Sequence, residues 1–298
     1  MLWPQALALA LALVPSLASA AIFPKNSKVK MLDATSFHKV MKKNESSMVA
    51  FVAPWCGHCK NLAPEYSKAA EGLSPMVPLY AVDCDEEINK PLCGAQDVKG
   101  FPTIKFFPRG GRKPSVPYND ERKAGPIFNY ASKAVPDVVK RLSKADDITT
   151  WAEKKTDRPR ALLLGKDKKV PLLWKALGNR YTHKMEFATA PDPKGTILAA
   201  LGLTVDDEKK GAKVVIYAPD SDEPVLYSAH MGWSGLSKYV PLAQFFRSVM
   251  DGTAELAPAK KEEASPVSES EEKEPESTVI TSPDAEPPAE PERPKDEL

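Results

Sequence analysis

Cysteine is missing from everything after residue 93 of this 298-residue chain. The four that exist, Cys56, Cys59, Cys84 and Cys93, confine any sulfur chemistry to one region. Charge of one sign is also missing. Lys and Arg total 41 against 40 Asp and Glu, which argues against a dedicated nucleic-acid binder, since such proteins carry a basic surplus. Histidine is scarce. Only His38, His58, His183 and His230 are present. They and the other two cysteines supply no second close ligand pair to complete a tetrahedral zinc site with Cys56 and Cys59, so no metal and no cofactor is expected. No run after residue 20 reaches the ~20 apolar residues that span a membrane. Aromatic residues are absent from 253 onward. That stretch is rich in Glu and Pro, with too little apolar surface to offset the entropy of ordering. Residues 253–298 are therefore expected to be a disordered acidic tail, a solubilising spacer.

The first residues have no Lys or Arg before Lys25, yet they carry an apolar stretch from Ala6 to Val14. Pro15 follows, then small residues at Ala18 and Ala20. This pattern predicts a signal peptide over 1–20, too short and too broken for an anchor. At the other end, Lys295-Asp296-Glu297-Leu298 matches the retrieval address of the endoplasmic reticulum. Together they predict residence in the lumen of that compartment, with a retrieval receptor as one partner. The lumen is oxidising, so disulfide chemistry becomes the default use of cysteine. The remaining length suits two domains, expected at 21–143 and 144–252.

Met48 to Ala53 is a continuous apolar run, as in a strand buried on both faces. It stops at Pro54-Trp55-Cys56-Gly57-His58-Cys59. A helix is predicted from Cys56 to Leu73, kinked by Pro64. Strands follow at Leu79–Val82, Thr103–Phe107 and Ser115–Tyr118, with helices at Ile88–Gln96 and Pro126–Val135. After Ser143 the same alternation of strands and helices recurs. The fold class is α/β, two tandem domains of mixed sheet flanked by helices.

Two cysteines separated by two residues, opening a helix after a buried strand, form a specific constellation. Cys56 falls at the helix N-terminus, where unpaired N–H groups and the helix dipole favour an anion. Its thiolate is thereby stabilised. Cys59, one turn further in, is expected to be more buried and less acidic. Cys56 then attacks a substrate disulfide and Cys59 resolves the mixed disulfide. A structural disulfide is the weaker alternative, because so short a loop saves little chain entropy.

The stretch from Ala53 to Lys60, containing Trp55, Cys56, Gly57, His58 and Cys59, resembles the active site of the protein disulfide isomerases. The resemblance covers about residues 25 to 143 and implies thioredoxin-like domains. In that family Gly100-Phe101-Pro102-Thr103 corresponds to a loop whose proline is cis and faces the active-site disulfide. It implies that Trp55, Phe101 and Pro102 contact substrate, with the Phe101 backbone pairing with an extended chain. A partly positive His58 beside the thiolate favours the reduced pair. That places the chain toward the isomerase end of the ~90 mV span between thioredoxins and isomerases, roughly 4 kcal/mol for two electrons. Arg122, four residues after Tyr118, matches an arginine that tunes the second cysteine. The chain departs from the family at Ala50 and Ala81, where many members bury a paired Glu and Lys. The proton relay from the second cysteine is then missing, and slower resolution is expected.

The resemblance further implies a structural disulfide between Cys84 and Cys93. Residues 144–252 resemble the family's redox-inactive domain in element order, and the two-domain layout resembles short fungal isomerases. Trp151, Trp174 and Trp233 are expected in the core, the other use being a peptide groove. Asn44-Glu45-Ser46 is an N-glycosylation sequon. The expected function is disulfide formation and rearrangement in folding secretory proteins, by a monomer turned over by a lumenal oxidase or glutathione. The alternative is a lumenal chaperone or peptide-binding module whose redox activity is incidental.

Overall fold

The computed structural model describes residues 22–154, 156–166, 168–203, 211–227, 239–254 and 256. The expected leader, Trp233 and all of the expected tail except residues 253, 254 and 256 lie outside them. The first sheet consists of β1 (Lys30–Leu32), β2 (Ser47–Val52), β3 (Leu79–Asp83), β4 (Thr103–Gly111) and β5 (Val116–Pro117), in spatial order β1-β3-β2-β4-β5. β1, β3 and β2 run parallel, whereas β4 pairs antiparallel with β2 and β5 antiparallel with β4. Every residue of β2 is buried. This is why its sequence is uniformly apolar after Ser47: a central strand covered by helices on both faces has no polar side to alternate with.

The covering helices are α1 (Ala34–Met41), α2 (Gly57–Leu73), α3 (Lys90–Ala95) and α4 (Ala124–Ala134). α2 and α4 lie on one face, where Leu62, Tyr66, Leu73, Ile127 and Ala131 meet Met48, Ala50, Ala81 and Phe106. α1 and α3 cover the other, where Phe37, Met41 and Leu92 meet Val49, Phe51 and Val82. α2 continues through Pro64 rather than ending there. The proline removes only one i→i−4 bond, and the apolar face of the helix stays packed on both sides of it.

The second sheet comprises β6 (Lys140–Arg141), β7 (Arg160–Gly165), β8 (Glu186–Pro191), β9 (Lys213–Tyr217) and β10 (Pro224–Leu226). Its order, β10-β9-β7-β8-β6, repeats the first sheet strand for strand, including the antiparallel β9 and β10. Its helices are α5 (Ala145–Glu153), α6 (Leu172–Tyr181), α7 (Thr196–Ala200) and α8 (Tyr239–Met250). β6 has no counterpart in the sequence-based expectation, which placed Lys140 and Arg141 in the first domain. They pair with Ala188 and Thr189 of β8, and Leu142 packs with the second sheet. Trp151 and Trp174 are core: the Trp174 indole N–H donates to the Ala188 carbonyl at 3.0 Å and its ring packs edge-on against Phe187 and Phe246.

Candidate active site

The end of β2 delivers the chain into Ala53-Pro54-Trp55, and Cys56 becomes the N-cap of α2. Its backbone is extended, its carbonyl accepts from the Cys59 and Lys60 N–H groups at 3.1 Å, and its Sγ accepts from the Cys59 N–H at 3.4 Å. The side chain thus does the work usually given to a capping oxygen. Cys56 and Cys59 are free thiols.

The two sulfurs are driven apart in acidity. Burial pushes the Cys56 thiol up. It is outweighed by the hydrogen bond from the Cys59 thiol, the Cys59 and His58 backbone N–H groups and the positive charge of Arg122, so the Cys56 pKa falls below its ordinary value. Cys59 is fully buried. Burial, and the developing charge on Cys56, push its pKa up to about 12, against the smaller opposing effects of the Ala53 N–H and Arg122. One turn of helix therefore separates a more acidic thiol from a less acidic, buried one.

Phe101-Pro102 is a cis peptide bond, and the Cys56 thiol donates to the Phe101 carbonyl at 3.5 Å. Arg122 reaches the same loop, donating to the Pro102 carbonyl at 3.3 Å. Tyr118, on the segment after β5, is buried and donates to the Glu121 carbonyl at 2.6 Å. Trp55 is 66% exposed and stands edge-on to Phe101 with ring centroids 5.8 Å apart. Its indole N–H is held by Asp85 at 3.0 Å, a contact across 30 residues that no local signal in the sequence announces. Gly57 and His58 are exposed at the first turn of α2.

Ala50 and Ala81 are paired neighbours on β2 and β3, both with no exposed surface. No carboxylate stands there. Among the described residues the one buried carboxylate is Asp83, at the end of β3, and its Oδ1 accepts from the Asp85 N–H at 3.0 Å. Cys84 and Cys93 form a disulfide with Cα atoms 6.0 Å apart, between the end of β3 and α3. No group of three or more His, Cys, Asp or Glu among the described residues is gathered as a metal would need.

Residues 28–133 match the thioredoxin family. A protein disulfide-isomerase of Medicago sativa is 48% identical over 126 residues, which is 41% of this chain and 24% of that protein. Over part of its length the chain is thus similar to a protein disulfide-isomerase. A protein disulfide-isomerase of Triticum aestivum is 44% identical over 124 residues, 41% of this chain and 24% of that one. A Schizosaccharomyces pombe protein named as a mitochondrial thioredoxin domain-containing protein is 31% identical over 202 residues, 67% of this chain and 52% of its own length. The chain thus spans from about a quarter to about half of these relatives. Two of the three likenesses cover 41% of this chain.

Proposed function

We propose that this protein is a thiol–disulfide oxidoreductase and isomerase acting on folding secretory polypeptides in the endoplasmic reticulum lumen. The observation that carries the chemistry is the divergence of two neighbouring thiols, Cys56 lowered and Cys59 raised to about 12, beside the Phe101 carbonyl. The compartment rests on the leader and the retrieval motif in the sequence.

In the reductive direction the Cys56 thiolate attacks one sulfur of a substrate disulfide. A Cys56–substrate disulfide forms and the other substrate sulfur leaves as a thiolate. Cys59 then loses its proton and attacks the Cys56 sulfur, releasing the second substrate thiolate and closing the Cys56–Cys59 disulfide. The departing substrate thiolates take up that proton directly or through water. Arg122 lowers the cost of the Cys59 thiolate while it exists. The reverse sequence oxidises a substrate dithiol, and attack by another substrate thiol on the mixed disulfide isomerises it. Trp55 and the Phe101 backbone provide the ledge for an extended substrate segment. A lumenal oxidase or glutathione resets the pair.

Refolding of scrambled ribonuclease tests the reading. Wild type restores ribonuclease activity, and Cys56→Ser loses nearly all of it. A Cys56→Ser variant that keeps most of the activity removes exchange chemistry from the account and leaves a chaperone.

A further inference from the structure

The sequon Asn44-Glu45-Ser46 lies at the start of β2, the opposite end of that strand from Cys56. All three residues reach the last turn of α6 in the second domain. The Asn44 Nδ2 donates to the Asn179 carbonyl at 2.8 Å. Glu45 pairs with the Arg180 guanidinium at 2.6 Å. The Ser46 Oγ accepts from the Asn179 Nδ2 at 3.0 Å and donates to the Pro108 carbonyl at 2.7 Å. The Asn179 amide is completed by Arg109, whose Nε donates to Oδ1 at 2.9 Å, and by the Pro108 carbonyl at 3.1 Å. Arg180 is steadied by the Tyr239 hydroxyl at 3.2 Å. Ser46 and Asn179 are buried.

N-glycosylation needs the same atoms. The amide nitrogen of the asparagine bonds to the first sugar of a lipid-diphosphate-linked oligosaccharide. The lipid diphosphate leaves and the amide gives up one proton. The hydroxyl two residues on must be free to meet the transferase. In the docked chain the Asn44 nitrogen is committed to the second domain, and the Ser46 hydroxyl is covered by Asn179 of that domain while it donates to Pro108 of its own. A glycan on Nδ2 would also have to leave through the contact that Asn179 makes.

We propose that Asn44 accepts a glycan only while the two domains are apart, so that docking of α6 and glycosylation of Asn44 exclude one another. The tripeptide is then an interdomain clasp, and a glycan added before α6 arrives holds the clasp open. This is independent of the disulfide-exchange reading.

The test expresses the full chain in a glycosylating secretory host behind an added leader, so the outcome does not depend on the chain's own N-terminus. Occupancy of Asn44 is read by mass spectrometry in wild type and in Arg180→Glu, which sets two carboxylates against each other and leaves the sequon intact. The variant counts only when its near-ultraviolet circular dichroism matches wild type. Arg180→Ala, which removes the ion pair without adding repulsion, replaces it if it fails to fold. The expected result is several-fold higher occupancy in the opened variant. Equal occupancy in wild type and variant, whether both full or both empty, overturns the proposal.

Discussion

Cys56 and Cys59 sit one helical turn apart, yet their surroundings set them on opposite sides of the ordinary thiol range. Alkylation needs the thiolate, so its rate rises with pH through each pKa. In the reduced protein, iodoacetamide labelling of Cys56 is expected to level off at a pH below that of a free cysteine. Cys59 stays almost unlabelled at neutral pH. Arg122→Gln removes a charge that favours both thiolates, so the Cys56 profile moves to higher pH. Labelling at neutral pH then slows by roughly 1.5- to 5-fold, the scale of an exposed charge interaction. Mass spectrometry of the labelled peptides checks both. The cysteine pair was legible in the sequence because its signals are local: spacing, a preceding apolar run and a helix start. Asp85 was not, since its bond to the Trp55 indole depends on how the end of β3 returns past the active-site turn.

At the scale of elements, β2 and β3 bring Ala50 and Ala81 side by side in the core. The register puts both alanines where the resembled family buries a paired Glu and Lys. Ala50→Glu alone buries an unpaired carboxylate and is expected to cost about 3–5 kcal/mol, seen as a lower urea midpoint. Adding Ala81→Lys should recover most of that loss. It should also speed the second step, read as faster decay of a pre-formed Cys56 mixed disulfide. Unchanged decay in a folded double variant would show that proton removal from Cys59 is not limiting. The long elements were legible from their periodicity. β6 was not, because two residues carry no periodicity and Lys140 and Arg141 are strand only through their pairing with β8. The helix expected from Cys56 to Leu73 through Pro64 is present as Gly57–Leu73.

Across the whole molecule, the same strand order is used twice and only the first copy carries cysteine. In the second copy, Lys166 follows β7 where the Cys56 turn follows β2, and no cysteine stands there. The repeat was readable from element order. The clasp between Asn44-Glu45-Ser46 and Asn179-Arg180 was not, because it joins residues more than 130 positions apart and neither side carries a motif that names the other. The proposed exchange depends on a division of labour between the Cys56 and Cys59 sulfurs. Trapping with a disulfide-bonded substrate, such as scrambled ribonuclease, tests it most directly, read on non-reducing gels after quenching with acid. Cys59→Ser is predicted to accumulate a covalent enzyme–substrate adduct that reductant dissolves, while Cys56→Ser accumulates none. An adduct that forms as readily through Cys59 in Cys56→Ser would contradict the assignment of nucleophile and resolving thiol.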